Sequence, residues 1–273
     1  MNGVTSTAPI SLDTAAALAL AMTDLAIAAG NAILAVDHRR AETSGKHDGS
    51  PVTEADLAAD TIIVDGLRRL RPDIPVISEE RVAGEVAGEP GKELFFIVDP
   101  LDGTREFLTG HDDYTVNVAL VADGRPLIGV VGAPALGLLW RGVVGRGAER
   151  IALSAPGKAE TIRTRPRPAD RWVAAVSRSH LDSRTDAFIR ARPGAVRQSI
   201  GSALKFCRIA EGSADIYPRL SPISEWDIAA GHAVVEAAGG AVTDSHGAPL
   251  RFSARPGNYI VPEFIVWGRP DGA

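Results

Sequence analysis

A layered α/β fold in two closely joined halves is predicted by three observations on the sequence. Two short apolar runs, residues 74–78 and 94–98, each end directly in carboxylates, Glu79-Glu80 and Asp99, as strands of a central sheet do where they present chemistry at their carboxyl ends. Asp123-Gly124 sits between apolar runs at 114–122 and 126–134, a strong β-hairpin signal. Beyond residue 170, strand-like and helix-like segments alternate. Together these predict a mostly antiparallel N-terminal sheet packed by helices, followed by a smaller mixed C-terminal sheet.

In chain order, Ser11 or Asp13 caps a long helix reaching about residue 37, and a loop rich in Gly, Ser and His follows at 44–50. Pro51-Val52-Thr53-Glu54 opens a second helix with an apolar stripe of Leu57, Ile62 or Ile63, Gly66 and Leu70, which Pro72 ends. The strands at 74–78 and 94–98 come next, then the hairpin, then a further antiparallel strand at 138–144. A loop rich in Pro, Arg and Lys at 156–170 marks the boundary between halves 1–155 and 156–273. In the second half the alternating segments are 172–177, 187–190, 195–199, 202–210, 214–217, 227–238 and 264–267.

The chain's 273 residues allow a sizeable core, and its net charge of −5 argues against a nucleic-acid polymer as partner, because such binders neutralise phosphate over a broad basic face. One cysteine, Cys207, excludes an intrachain disulfide and suits a reducing cytoplasm; its apolar neighbours make it a packing residue. The Ala-rich stretch at 15–36 lacks a basic segment before it and is interrupted by Asp24 and Asn31, so it reads as a packing helix and not as a transmembrane segment. Peripheral attachment to the cytoplasmic face of the membrane is left open, as is the choice between monomer and homodimer.

The chemistry concentrates in Asp99-Pro100-Leu101-Asp102-Gly103-Thr104. Pro100 fixes its own φ and donates no hydrogen bond, so the chain is expected to turn sharply as it leaves the strand, letting two carboxylates three residues apart face one cation. Mg²⁺ takes hard oxygen ligands, a few carboxylates together with phosphate oxygens and waters. Gly103 and Thr104 would open a short helix whose free N–H groups favour a phosphate oxygen. An isolated Asp-Gly pair is ordinarily a turn. A haloacid-dehalogenase type of phosphatase needs its two aspartates two residues apart, so the spacing of Asp99 and Asp102 decides against that nucleophile.

The segment from Asp99 to Thr104 resembles the signature of the inositol monophosphatase superfamily of metal-dependent, lithium-sensitive phosphatases. Three other segments agree in the family's order and approximate spacing: Val52-Thr53-Glu54-Ala55-Asp56, Ile77-Ser78-Glu79-Glu80 and Glu225-Trp226-Asp227-Ile228-Ala229-Ala230-Gly231. The resemblance implies an αβαβα sandwich and a site holding two or three Mg²⁺ ions. It implies metal ligation by Glu79, Asp99, the carbonyl of Leu101, Asp102 and Asp227, and catalytic roles for Glu79, Thr104 and Asp56. Thr104 would lie close to the attacking water, and Asp56 would hydrogen-bond Thr104 and help draw away a proton. Taken alone, Asp56 is equally well a structural acid at a helix start.

Within the superfamily, Gly201-Ser202-Ala203-Leu204-Lys205-Phe206-Cys207, Glu211-Gly212-Ser213-Ala214-Asp215-Ile216-Tyr217-Pro218-Arg219 and Val176-Ser177-Arg178-Ser179-His180 resemble the CysQ-type branch. That branch hydrolyses the 3′-phosphate of adenosine 3′,5′-bisphosphate, a small nucleotide bisphosphate, and the 3′-phosphoadenylyl sulfate form is a second expected substrate. The substrate is expected at Leu101, Asp102, Gly103, Thr104, Ser202 and Asp227, with Lys205 and Arg178 towards the second phosphate. Lys205 and Arg178 each have a surface-charge alternative; His180 reads as near the adenosine or as solvated; Trp226 reads as a core anchor. The alternatives carried forward are inositol monophosphatase or fructose-1,6-bisphosphatase activity, and a non-catalytic protein that binds metal and a phosphorylated ligand.

Overall fold

Ser11 opens the first helix by accepting from Thr14 N–H, and the helix α1 (Leu12–Leu34) then buries one alanine-rich face, including Ala15, Ala19, Met22, Ala26 and Ile33. The computed structural model describes residues 10–41, 43–45, 51–82, 94–155, 157–178, 182–252 and 259–269. Residues 46–50 of the expected loop, and His180, lie outside the described residues. After α1 come β1 (Thr43–Gly45), β2 (Pro51–Thr53), α2 (Glu54–Leu70), β3 (Val76–Ser78), β4 (Leu94–Asp102), α3 (Thr104–Leu108), β5 (Thr115–Ala122), β6 (Arg125–Ala133), β7 (Leu138–Val143), β8 (Gly147–Ala152) and β9 (Ala159–Ile162). The second half contributes β10 (Trp172–Ser177), α4 (Ser183–Arg190), β11 (Ala195–Ile200), α5 (Leu204–Ala210), β12 (Ile216–Arg219), β13 (Ile223–Ser224), α6 (Ala229–Ala237), β14 (Ala241–Thr243), β15 (Ile260–Val261) and β16 (Phe264–Trp267).

Strands β3 to β9 form a seven-stranded sheet in sequence order, antiparallel except for the parallel pair β3 and β4. The second sheet runs β11-β10-β12-β16-β14, with β10 parallel to both its neighbours and β16 antiparallel to both of its own. Alternation along β4 explains how both faces of the first sheet are covered: Phe96 and Val98 pack with α1 and α2, whereas Phe95 and Ile97 pack with α5, α6 and the inner face of the second sheet. Trp172, Ala174, Val176 and Ile265 on the outer face of that second sheet meet Ile189 of α4. Three apolar clusters therefore join five structural layers, the middle cluster enclosing α5 and α6, in the expected αβαβα order. With both faces of the first sheet buried, β4 reads as a continuous apolar run.

Three expectations are corrected. β4 does not end at Val98 but continues to Asp102, because Pro100 and Leu101 sit in a bulge inside the ladder: Asp99 pairs with Asn117 and Asp102 with Thr115. The segment 156–170, read as a loop, contains β9, so the first sheet closes at Ile162. Only Ile162 of that strand is buried, which leaves an edge strand without alternating polarity to detect. Finally, β2 occupies Pro51–Thr53, and α2 starts at Glu54 with Thr53 as its cap. α1, long and apolar enough to cross a bilayer by length and composition, packs against α2 and the first sheet.

Candidate metal and phosphate site

The bulge explains why two aspartates three residues apart share one side of the sheet. In a regular strand, residues i and i+3 face opposite ways. Between Asp99 and Asp102 three steps on β4 oppose two on β5, and this extra residue turns Asp102 back to the face of Asp99. Asp99 Oδ1 also accepts from Leu101 N–H at 3.1 Å, holding the bulge closed. Gly103 follows with φ +95, a left-handed conformation; a Cβ there would lie 3.3 Å from both Glu106 Oε2 and Tyr114 Cβ.

Glu79 arrives from the end of β3, whose parallel pairing with β4 sets it beside Asp99, and its N–H donates to Val98 O at 3.1 Å. Asp227 comes from the other half, on a 3₁₀ turn at Glu225–Asp227 that leads into α6. The approach of α6 depends on two glycines of the first sheet. A Cβ on Gly129 would lie 2.1 Å from Ala230 O, and one on Gly142 would lie 2.8 Å from Val234 Cα. Glu79, Asp99 and Asp227 thereby each bring one carboxylate oxygen within 4.8 Å of the others.

Burial pushes Asp102 up to about 6, opposed by the Lys205 ammonium and the Asn117 amide and reinforced by Glu79. Asp227 is pushed well above the usual carboxylate range by burial first, then by the charges of Asp102 and Glu79. Asp99 lies against Asp227 and partly opposes that shift, and carboxyl groups gathered within 4.8 Å repel unless a proton or a cation offsets their charge. A cation can take the place of that proton, and an all-oxygen donor set suits a hard divalent ion. Glu79, Asp99 and Asp227 therefore fit a metal centre, and Asp102 and the buried Leu101 line the same cavity.

Asp56 combines the two readings of its position. Its Oδ2 closes the capping box of α2, accepting from Thr53 N–H at 2.8 Å and from the Thr53 hydroxyl at 2.6 Å. Its Oδ1 faces the Thr104 hydroxyl at 3.1 Å, while the same hydroxyl lies 3.3 Å from Leu101 O. Asp56 is fully buried, so its position is fixed by α2 and not by solvent.

A cavity of about 340 Å³ is lined by the cage residues together with Gly103, Thr104, Ser202, Lys205, Tyr217 and Arg219. Lys205 is buried, donates to Ser202 O at 2.6 Å and Ile200 O at 3.3 Å, and lies 5.1 Å from the Tyr217 ring centre. Burial lowers Lys205 to about 8, with Asp102 pulling the other way. Arg178 pairs with Asp113 at 2.8 Å and is not among the cavity's lining residues, though its neighbour Ser177 is. Arg219, which ends a family-like segment and takes no role from the sequence, lines the cavity. Its Nε is buried without a hydrogen-bond partner among the described residues, a signal that only the fold makes visible. Trp226 is half-buried, 5.6 Å from the Tyr259 ring, on the shared core, and Cys207 is fully buried.

Residues 14–267 match the sequence profile of the inositol monophosphatase family. The 3′(2′),5′-bisphosphate nucleotidase CysQ of Salmonella typhimurium is 42% identical over 246 residues, 89% of this chain and 96% of that protein. The protein of the same name from Escherichia coli strain K12 is 41% identical over 245 residues, with the same coverage of each. Among solved structures, CysQ from Bacteroides thetaiotaomicron, described as a bacterial member of the family, superposes with a TM-score of 0.78 at 35% identity, covering 93% of this chain and 98% of that one.

Proposed function

The chain belongs to the inositol monophosphatase family, and from that premise we propose that it is a 3′(2′),5′-bisphosphate nucleotidase. The reaction is removal of the 3′-phosphate of adenosine 3′,5′-bisphosphate, and of its phosphosulfate form, by water, with Mg²⁺ as the metal. The observation that carries this reading is one cavity lined both by the carboxylate cluster of Glu79, Asp99 and Asp227 and by two cations, Lys205 and Arg219. With a monoester on the cage, the two cations are available to a second phosphate of the same substrate.

When bound, divalent cations would supply charge neutralisation on the transferring phosphoryl group and its leaving oxygen. Glu79, Asp99, Asp102, Asp227 and the Leu101 carbonyl would hold them. Gly103, left-handed and without a side chain, keeps the backbone open to the phosphate oxygens. The Thr104 hydroxyl orients the attacking water, passing a proton towards Asp56 Oδ1, which the Thr53 cap holds in place. Ser202, Lys205 and Arg219 bind the second phosphate and set the register of the nucleotide. A reducing cytoplasm suits the single buried cysteine.

Phosphate release from adenosine 3′,5′-bisphosphate, inositol 1-phosphate and fructose 1,6-bisphosphate, each with and without Mg²⁺, tests the reading. We expect the nucleotide to be turned over most efficiently, and only with Mg²⁺. Preference for either of the other two would assign a different family activity, and binding without turnover of any ester would make the protein a non-catalytic binder.

A further inference from the structure

Asp113 takes no part in the reaction above, yet it ties the first half to the 200–202 turn, whose carbonyls hold Lys205. Its Oδ2 accepts from Gly201 N–H at 2.6 Å and pairs with Arg178 Nη2 at 2.8 Å. Its backbone carbonyl accepts the Ser202 hydroxyl at 2.9 Å. The approach requires glycine at 201, since a Cβ there would lie 2.6 Å from Asp113 O and 2.7 Å from the Asp113 carboxyl carbon. Ser202 is then held at φ +43, a conformation unusual for a residue with a side chain and maintained only where the surroundings over-determine it.

The carbonyls on either side of Gly201 are the groups that hold the Lys205 ammonium, Ile200 O at 3.3 Å and Ser202 O at 2.6 Å. One clamp on Gly201 and Ser202 therefore fixes the cavity-lining serine directly and the lysine through its two acceptors. We propose that Asp113 is a specificity-determining positioning residue, which clamps the 200–202 turn so that Ser202 and Lys205 meet the second phosphate of a bisphosphate substrate. Arg178 then steadies the clamp's carboxylate and is not itself a phosphate ligand. The proposal rests on the nucleotidase reading, and it separates two substrates that differ by one phosphate.

The test measures kcat and KM on adenosine 3′,5′-bisphosphate and on adenosine 3′-monophosphate for the wild type, Asp113→Ala and Arg178→Gln, at saturating Mg²⁺, with a thermal melt of each protein. Asp113→Ala is expected to raise KM for the bisphosphate about tenfold with kcat within about twofold, and to leave KM for the monophosphate within about twofold. Arg178→Gln, at an arginine side chain 41% exposed, should move the same KM in the same direction by a smaller factor and carries the test alone if Asp113→Ala does not fold. Equal losses on both substrates, or an unchanged KM for the bisphosphate, overturn the proposal. A wild type that prefers the bisphosphate beside insensitive variants overturns only the clamp; a wild type inert on both nucleotides overturns the functional reading and the clamp with it.

Discussion

At the residue scale, the proposed reading divides the cavity's work between acids that gather cations and a buried lysine that meets an anion. Lys205 carries the clearest pH signature. Burial lowers it to about 8, so below that pH it is an ammonium and above it a neutral amine. A phosphate is bound by the charged form, and kcat/KM for the bisphosphate should therefore fall above about pH 8, approaching tenfold per pH unit, with no such fall for adenosine 3′-monophosphate. Parallel profiles for the two substrates would remove Lys205 from the second-phosphate site. The Asp56–Thr104 contact gives a second expectation. Thr104→Ala should lower kcat by about 10²- to 10³-fold while Mg²⁺ affinity, read by calorimetry, stays within about threefold, because the hydroxyl serves the water and not the cage.

The individual residues were unevenly legible in the sequence. The Asp99 to Thr104 segment alone reads as a strand-end turn, and it became legible through the segments at 52–56, 77–80 and 225–231, which resemble the family's in order and spacing. Asp56 left two readings open because a helix N-terminus and a proton acceptor call for the same side chain, and the structure shows one oxygen on each contact. Arg178 drew a substrate role from the sequence and Arg219 none, because a basic residue has no address until the strands are placed. Once β10 and β12 lie side by side in the second sheet, Arg219 falls in the cavity and Arg178 on Asp113.

At the element scale, the bulge in β4 and the seating of α6 bring the ligands together. The proline hinted at an irregularity, but only the β4–β5 register shows that the strand resumes after it, which is what returns Asp102 to the face of Asp99. Asp227 crosses from the second half because α6 rests on bare backbone at Gly129 and Gly142. No local pattern announces such a contact, since glycine in a strand reads equally as a weak point of the sheet. Gly129→Ala would place a methyl group 2.1 Å from Ala230 O, forcing α6 outward. We expect a loss of about 1–3 kcal/mol of stability, with weaker Mg²⁺ binding as Asp227 moves. Thermal melts and a Mg²⁺ titration check both, and unchanged Mg²⁺ affinity in a destabilised variant would separate α6 packing from the cage.

At the scale of the whole molecule, the two sheets enclose α5 and α6, and the cavity forms where residues from both halves converge. The first sheet was readable because its central strands are apolar on both faces and its hairpin has a strong turn. Its last strand was not, because an edge needs only Ile162 inward. The central claim is that this convergence makes a metal-dependent phosphatase acting on the 3′ position of a nucleotide bisphosphate. The most direct measurement is ³¹P NMR of the products from adenosine 3′,5′-bisphosphate, first in chelator and then after Mg²⁺ is restored. The account predicts no reaction in chelator, then inorganic phosphate and adenosine 5′-monophosphate in equal amounts. Turnover in chelator, or accumulation of adenosine 3′-monophosphate, would contradict it.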